Sequence, residues 1–137
     1  MTQAVIDTNV IIAAMRSRNG CAHKLVYSLG IDLRWQACIS GPLLQEYTEQ
    51  VFSHAHLAGW SSVECEDFLD YFCASSRWFE VHFLWRPLLS DDDDHMVLEA
   101  AVASSAECIV TFNKRDLKPA EQFGIELMTP REFLLSF

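Results

Sequence analysis

Short apolar runs alternate with segments of helical spacing along the whole 137-residue chain, and this alternation constrains the fold more than any other feature. "QAVID" (3–7) reads as a buried strand that ends at Asp7, and "NVIIAAMRS" continues as a first helix. A second helix fits 21–29, where Cys21, Ala22, Leu25, Val26 and Leu29 recur at helical spacing. "RWQACIS" (34–40) reads as a second strand. Ser40 then acts as an N-cap and Pro42 suits a first helical turn, which predicts a helix over about 41–53.

"HAHLAGW" (54–60) reads as a break. Ser61 and Glu64 form a capping box for the next helix. In it Cys65, Phe68, Leu69, Phe72 and Cys73 make one buried stripe, while Glu64, Glu66, Asp67 and Asp70 fall outside it. "WFEVHFL" (78–84) alternates like a strand, "EAAVASSA" carries a helix begun at an aspartate run, and "CIVTF" (108–112) and "IELMT" (125–129) read as strands. Thr129 and Glu132 cap a terminal helix, "PREFLLSF". Strands alternating with helices predict an α/β layer fold whose mostly parallel sheet is covered on both faces. No repeat, low-complexity tract or linker divides the chain, so 1–137 reads as one domain.

The totals bound the function. Ten Lys and Arg stand against 19 Asp and Glu, a formal net charge of −9. Such a chain has no broad electrostatic grip on nucleic acid, and binding there needs local basic patches or metal ions. The five cysteines are widely spaced with no CxxC pair, which fits reduced core thiols and a cytoplasmic protein. The first residues lack the pattern of a signal peptide, and no apolar run approaches the roughly 18 residues that span a bilayer, so no membrane role is expected.

"SDDDDHMVLEAAVA" (90–103) sets four aspartates against the start of an apolar helix. With Ser90 as N-cap, Asp91, Asp92, Asp93 and Asp94 fill the first turn. Asp94 shares a stripe with Val97, Leu98 and Ala101, with Asp91 near it, while Asp92 falls with His95 and Glu99 on a side expected to face water. A helix dipole favours each anion by about 0.3–1 kcal/mol, too little to offset several crowded carboxylates. A divalent cation can, and oxygen-only donors suit Mg²⁺ or Mn²⁺. An over-provided cap in solvent is the plainer reading of this run taken alone.

Other acids gather on the same rim. In open parallel sheets ligands bind at the carboxyl ends of the strands. Asp7 ends the first strand, Asp116 follows "CIVTF", Glu46 lies early in the helix after "RWQACIS", and the aspartate run opens a helix at that edge.

Taken in order, these elements resemble the PIN-domain nucleases over nearly the whole chain. Asp7, Thr8 and Asn9 are similar to that family's Asp-Thr-Asn element at a strand end. Ser40 through Glu46 match its Ser/Pro/Leu-Leu-x-Glu helix start, although Gly41 is inserted. Asp91 through Leu98 match its acidic helix lead, with Asp92 where Pro is frequent. Thr111, Asn113, Asp116 and Leu117 match its last acidic turn, with Asn113 where relatives often have Asp.

The resemblance implies a three-layer α/β/α PIN-like fold and metal-dependent cleavage of RNA. Asp7, Glu46, Asp94 and Asp116 would be the catalytic and metal-holding set for Mg²⁺ or Mn²⁺, with Thr8, Asn9, Asp91, Asp93, Thr111 and Asn113 in support. Lys114, Arg115, Lys118 and Arg16 are candidate RNA contacts, and Arg18 and Lys24 follow the first motif. It further implies a toxin-type protein with a small antitoxin partner, and a homodimer. A catalytically quiet PIN domain that binds RNA or protein is the alternative. A phosphotransferase with an aspartate nucleophile fits less well, because Asn9 stands where its second Asp belongs. Trp60 reads as a core cap more readily than as a base-stacking residue, and His54 and His56 as surface residues more readily than as a metal pair.

Overall fold

The computed structural model describes residues 1–81 and 92–137, with backbone alone at 92–94. Five strands, β1 (Thr2–Ile6), β2 (Trp35–Ile39), β3 (Ser76–Trp78), β4 (Cys108–Val110) and β5 (Glu126–Met128), form one parallel sheet in the order β3-β2-β1-β4-β5. Ile6 pairs with Val110 and Ala4 with Ala37, so β1 lies at the centre. Helices α1 (Thr8–Arg16), α2 (Cys21–Tyr27), α3 (Gly41–Ala58), α4 (Ser62–Ala74), α5 (Asp92–Ala103) and α6 (Pro130–Leu135) complete a three-layer α/β/α arrangement. The central strands are fully buried runs such as Ala4-Val5-Ile6 and Cys108-Ile109-Val110, as a parallel sheet covered on two faces requires.

Both capping boxes form. Ser61 and Thr129 each accept from the backbone of Glu64 and Glu132, which reach back in turn. The buried stripe of α4 is the expected one, with Glu64, Glu66, Asp67 and Asp70 exposed. All five cysteines are free thiols, and burial pushes Cys108 up to about 12. Among the described residues no helix is long and apolar enough to cross a membrane.

Four local readings need correction. First, α3 does not break at 53. Ala55, Leu57 and Ala58 keep the helix favourable until Gly59, whose φ of 73° supplies the left-handed residue on which a helix ends, and Trp60 N–H returns to the Ala55 carbonyl at 2.9 Å. Second, the strand read at 78–84 begins earlier, because pairing of Ala37 with Ser76 and Ile39 with Trp78 sets its register; residues 82–84 lie outside the described residues.

Third, the His95 and Glu99 side of α5 does not face water. Both are buried, because α5 is held between α3 and strands β1, β2 and β4. Fourth, a 3-10 turn at Lys118–Phe123, anchored by buried Leu117 and Ala120, escapes a periodicity reading because it is short and opens on a proline. Ser90 and Asp91 lie outside the described residues.

Candidate active site

The strand order reverses direction between β1 and β4: the chain steps from β1 outward to β2 and β3, then returns past β1 to β4 and β5. The carboxyl ends of β1 and β4 therefore flank the crevice where such sheets bind ligands. Asp7 stands there as the residue after β1 and the N-cap of α1. Its backbone N–H continues the ladder to Val110 O at 2.9 Å, which sets Asp7 beside Thr111.

The side chains then lock together. Thr111 Oγ1 donates to Asp7 Oδ2 at 2.7 Å, and Thr111 is fully buried, so this hydrogen bond to a carboxylate is shielded from water. The same Oγ1 accepts from Asn113 N–H at 2.9 Å. Asn113 Nδ2 in turn donates to Asp116 Oδ2 at 2.6 Å. A continuous hydrogen-bonded chain thus joins two acids that lie far apart in sequence. Asn9 Oδ1 accepts from Phe112 N–H at 3.4 Å, clipping the first turn of α1 to the exit of β4.

From the other side, Ser40 caps α3 by accepting from Leu43 N–H, and this start places Glu46 near the same rim. Asp7 and Glu46 are only 6% and 8% exposed. Both line a cavity of about 340 Å³, together with Thr8, Asn9, Ile12, Gln50 and His54. Next to Glu46, Tyr47 is fully buried and its hydroxyl donates to Ile6 O at 2.5 Å. Burial, and then the nearby Asp7 charge, holds its phenol protonated well above the usual range. Tyr47 therefore ties α3 to the end of β1, one residue before Asp7.

Of the residues read from sequence, Asp7, Thr8, Asn9 and Glu46 share this cavity. Asp116 is exposed and connects to it through Asn113 and Thr111. Among the described residues no group of three or more His, Cys, Asp or Glu could hold a metal ion. Asp93 and Asp94 lie in the first turn of α5, described as backbone only, and Asp91 lies outside the described residues. As the crossover helix between parallel strands, α5 opens on the same rim.

Lys114 is engaged by Glu132 at 2.5 Å, which holds the acidic turn against the cap of α6. Arg16, Arg115 and Lys118 are exposed, and none of them lines the cavity. Trp60 packs edge-on against Phe68 at 5.3 Å, away from the acids, and is a core cap. Sequence reading passed over Gln50 and His54 as site residues. Their spacing from Glu46, four and eight residues along one helix, was the available signal; Gln50 lay within the expected helix, and ending it at 53 cut off His54.

A family profile for the PIN domain matches residues 3–115. The chain belongs to the PIN-domain family. The match begins within β1 and ends at Arg115, one residue before Asp116. No curated protein of significant sequence similarity was found. Among solved structures, this PIN domain is similar to a chain of VapBC2 from Rickettsia felis bound to a DNA fragment from their promoter. The TM-score is 0.63 and the identity 16%, over 93% of this chain and 98% of that one. At that identity the likeness is one of fold, and it agrees with the three-layer arrangement seen here.

Proposed function

We propose that this PIN domain is a Mg²⁺- or Mn²⁺-dependent endoribonuclease of the toxin type. The observation that carries the reading is a pair of buried carboxylates, Asp7 and Glu46, facing one cavity at the point where the strand order reverses. An all-oxygen donor set of this kind fits a hard divalent cation. Asp7, Glu46, Asp94 and Asp116 would hold it. When bound there, such an ion supplies a water acidified toward neutral pH and offsets charge on the attacked phosphate.

The chain's own residues do the positioning. Thr111 fixes the rotation of the Asp7 carboxylate, and Asn113 does the same for Asp116, which makes Asn113 an orienting donor. Arg16, Arg115 and Lys118 are exposed for phosphate contact, while Lys114 must exchange Glu132 for RNA. A small antitoxin protein is the proposed partner. The fold likeness to VapBC2 supports it, and a basic side chain would complement a chain of net charge −9. A homodimer in the cytoplasm, folded as one domain, completes the reading.

The test is incubation of structured and single-stranded RNA with the protein in Mn²⁺ and in chelator, beside Asp7→Asn. Metal-dependent cleavage that falls at least about 100-fold in the variant supports the proposal. RNA binding without cleavage identifies a quiet binding module instead, and turnover of a phosphomonoester identifies a phosphatase.

A further inference from the structure

Glu46, Gln50 and His54 stand four residues apart on α3, so they share one face of the helix, and all three line the acidic cavity. His54 lies two turns beyond Glu46, roughly 12 Å along the axis. On the nuclease reading, a strand that sets a phosphate at the acids passes this wall farther along its length. His54 Nδ1 lies 2.9 Å from the Gln50 carbonyl oxygen. A carbonyl only accepts, so Nδ1 carries the hydrogen, and in the tautomer with its one proton there Nε2 is a lone-pair acceptor. Among the described residues nothing donates to that Nε2.

An acceptor at this position does not suit a phosphate oxygen, which also only accepts. It suits a donor that every ribonucleotide carries whatever its base, the 2′-hydroxyl, which is also the group that separates RNA from DNA. We infer that His54 is a specificity-determining residue whose Nε2 accepts a hydrogen bond from a ribose 2′-hydroxyl, making this cavity selective for RNA over DNA. The inference rests on the nuclease reading of the same cavity, though its test does not require turnover.

The test measures binding of one oligonucleotide sequence to the full chain in Ca²⁺ by fluorescence anisotropy, in ribose, deoxyribose and 2′-fluoro forms. The 2′-fluoro form keeps the substituent and removes the donor. Wild type should prefer the ribose form over both others. In His54→Ala that preference should shrink by roughly 3–10-fold, the worth of one hydrogen bond, while deoxyribose binding stays constant and reports an intact fold. His54→Gln places an acceptor at similar reach and should keep most of the preference.

An undiminished preference in His54→Ala, no preference in wild type, or no binding at all overturns the inference. So does a preference that follows base identity, which would assign Nε2 to a base amino group. A wild type that shows the ribose preference but never cleaves in Mn²⁺ removes the nuclease reading alone. One that cleaves while His54→Ala keeps its preference removes only the role of His54.

Discussion

The hydroxyl of Thr111 is the junction on which the geometry of Asp7 depends, and Thr111→Val isolates it. Valine keeps the branched shape and volume, so no cavity opens and the loss is polar only. Two bonds go. The donation to Asp7 Oδ2 at 2.7 Å, fully buried and to a carboxylate, is worth about 1.5–3 kcal/mol. The N–H of Asn113 loses its acceptor at 2.9 Å. Because Asn113 is exposed, water replaces part of that bond, and the low end of about 1 kcal/mol applies. The sum is roughly 2.5–4 kcal/mol, a fall in Tm of roughly 9–14 °C for a chain of this size. Urea titration measures it directly, and Thr111→Ser, which keeps the hydroxyl, should recover most of the loss. A double-mutant cycle with Asp7→Ala should show coupling above about 1 kcal/mol. A valine variant within about 0.5 kcal/mol of wild type, or the same cost in the Asp7→Ala background, would refute the reasoning.

Two further perturbations test the frame around the site. Lys114, and then the cap of α6, holds the Glu132 carboxyl down to about 2 from its ordinary 4.5, so its contribution is fully present above pH 4.5 and is lost as pH falls toward 2. Glu132→Gln should therefore be less stable than wild type at neutral pH and converge with it across that window, as followed by urea unfolding at successive pH values. Gly30 and Gly59 share a left-handed φ, of 78° and 73°, but an added Cβ at Gly30 meets Ser75 Oγ at 2.9 Å whereas at Gly59 it meets open space. Gly59→Ala should thus cost about 1–2 kcal/mol and Gly30→Ala measurably more, with thermal unfolding separating them.

The layer order of the fold was legible because a parallel sheet buried on two faces leaves short buried runs such as Ala4-Val5-Ile6, and these alternate with segments of helical spacing. Capping boxes were legible for a different reason: their two partners lie three residues apart, so Ser61 with Glu64 and Thr129 with Glu132 are read directly from spacing. The burial of His95 and Glu99 was not, since it follows from α3 lying over α5, a tertiary contact that periodicity along one helix does not contain. The start of β3 was missed similarly, because its register with β2 begins at Ser76, ahead of the alternation read from 78.

The site divides along the same line. Asp7 and Glu46 could be placed on one rim because each follows a strand closely, and strand direction then fixes the edge on which it sits. What holds Asp7 could not, for its hydrogen bond to Thr111 spans 104 residues and depends on β1 and β4 being neighbours. His54 fell between these cases. Ending α3 at 53 would turn residue 54 out of the helix and away from Glu46, whereas continuing it to the left-handed Gly59 brings Gln50 and His54 onto the wall that Glu46 begins. Glycine marks where a helix stops, not where it starts to weaken, and a stop placed five residues early left out His54, the side chain inferred above to read the sugar of a bound nucleotide.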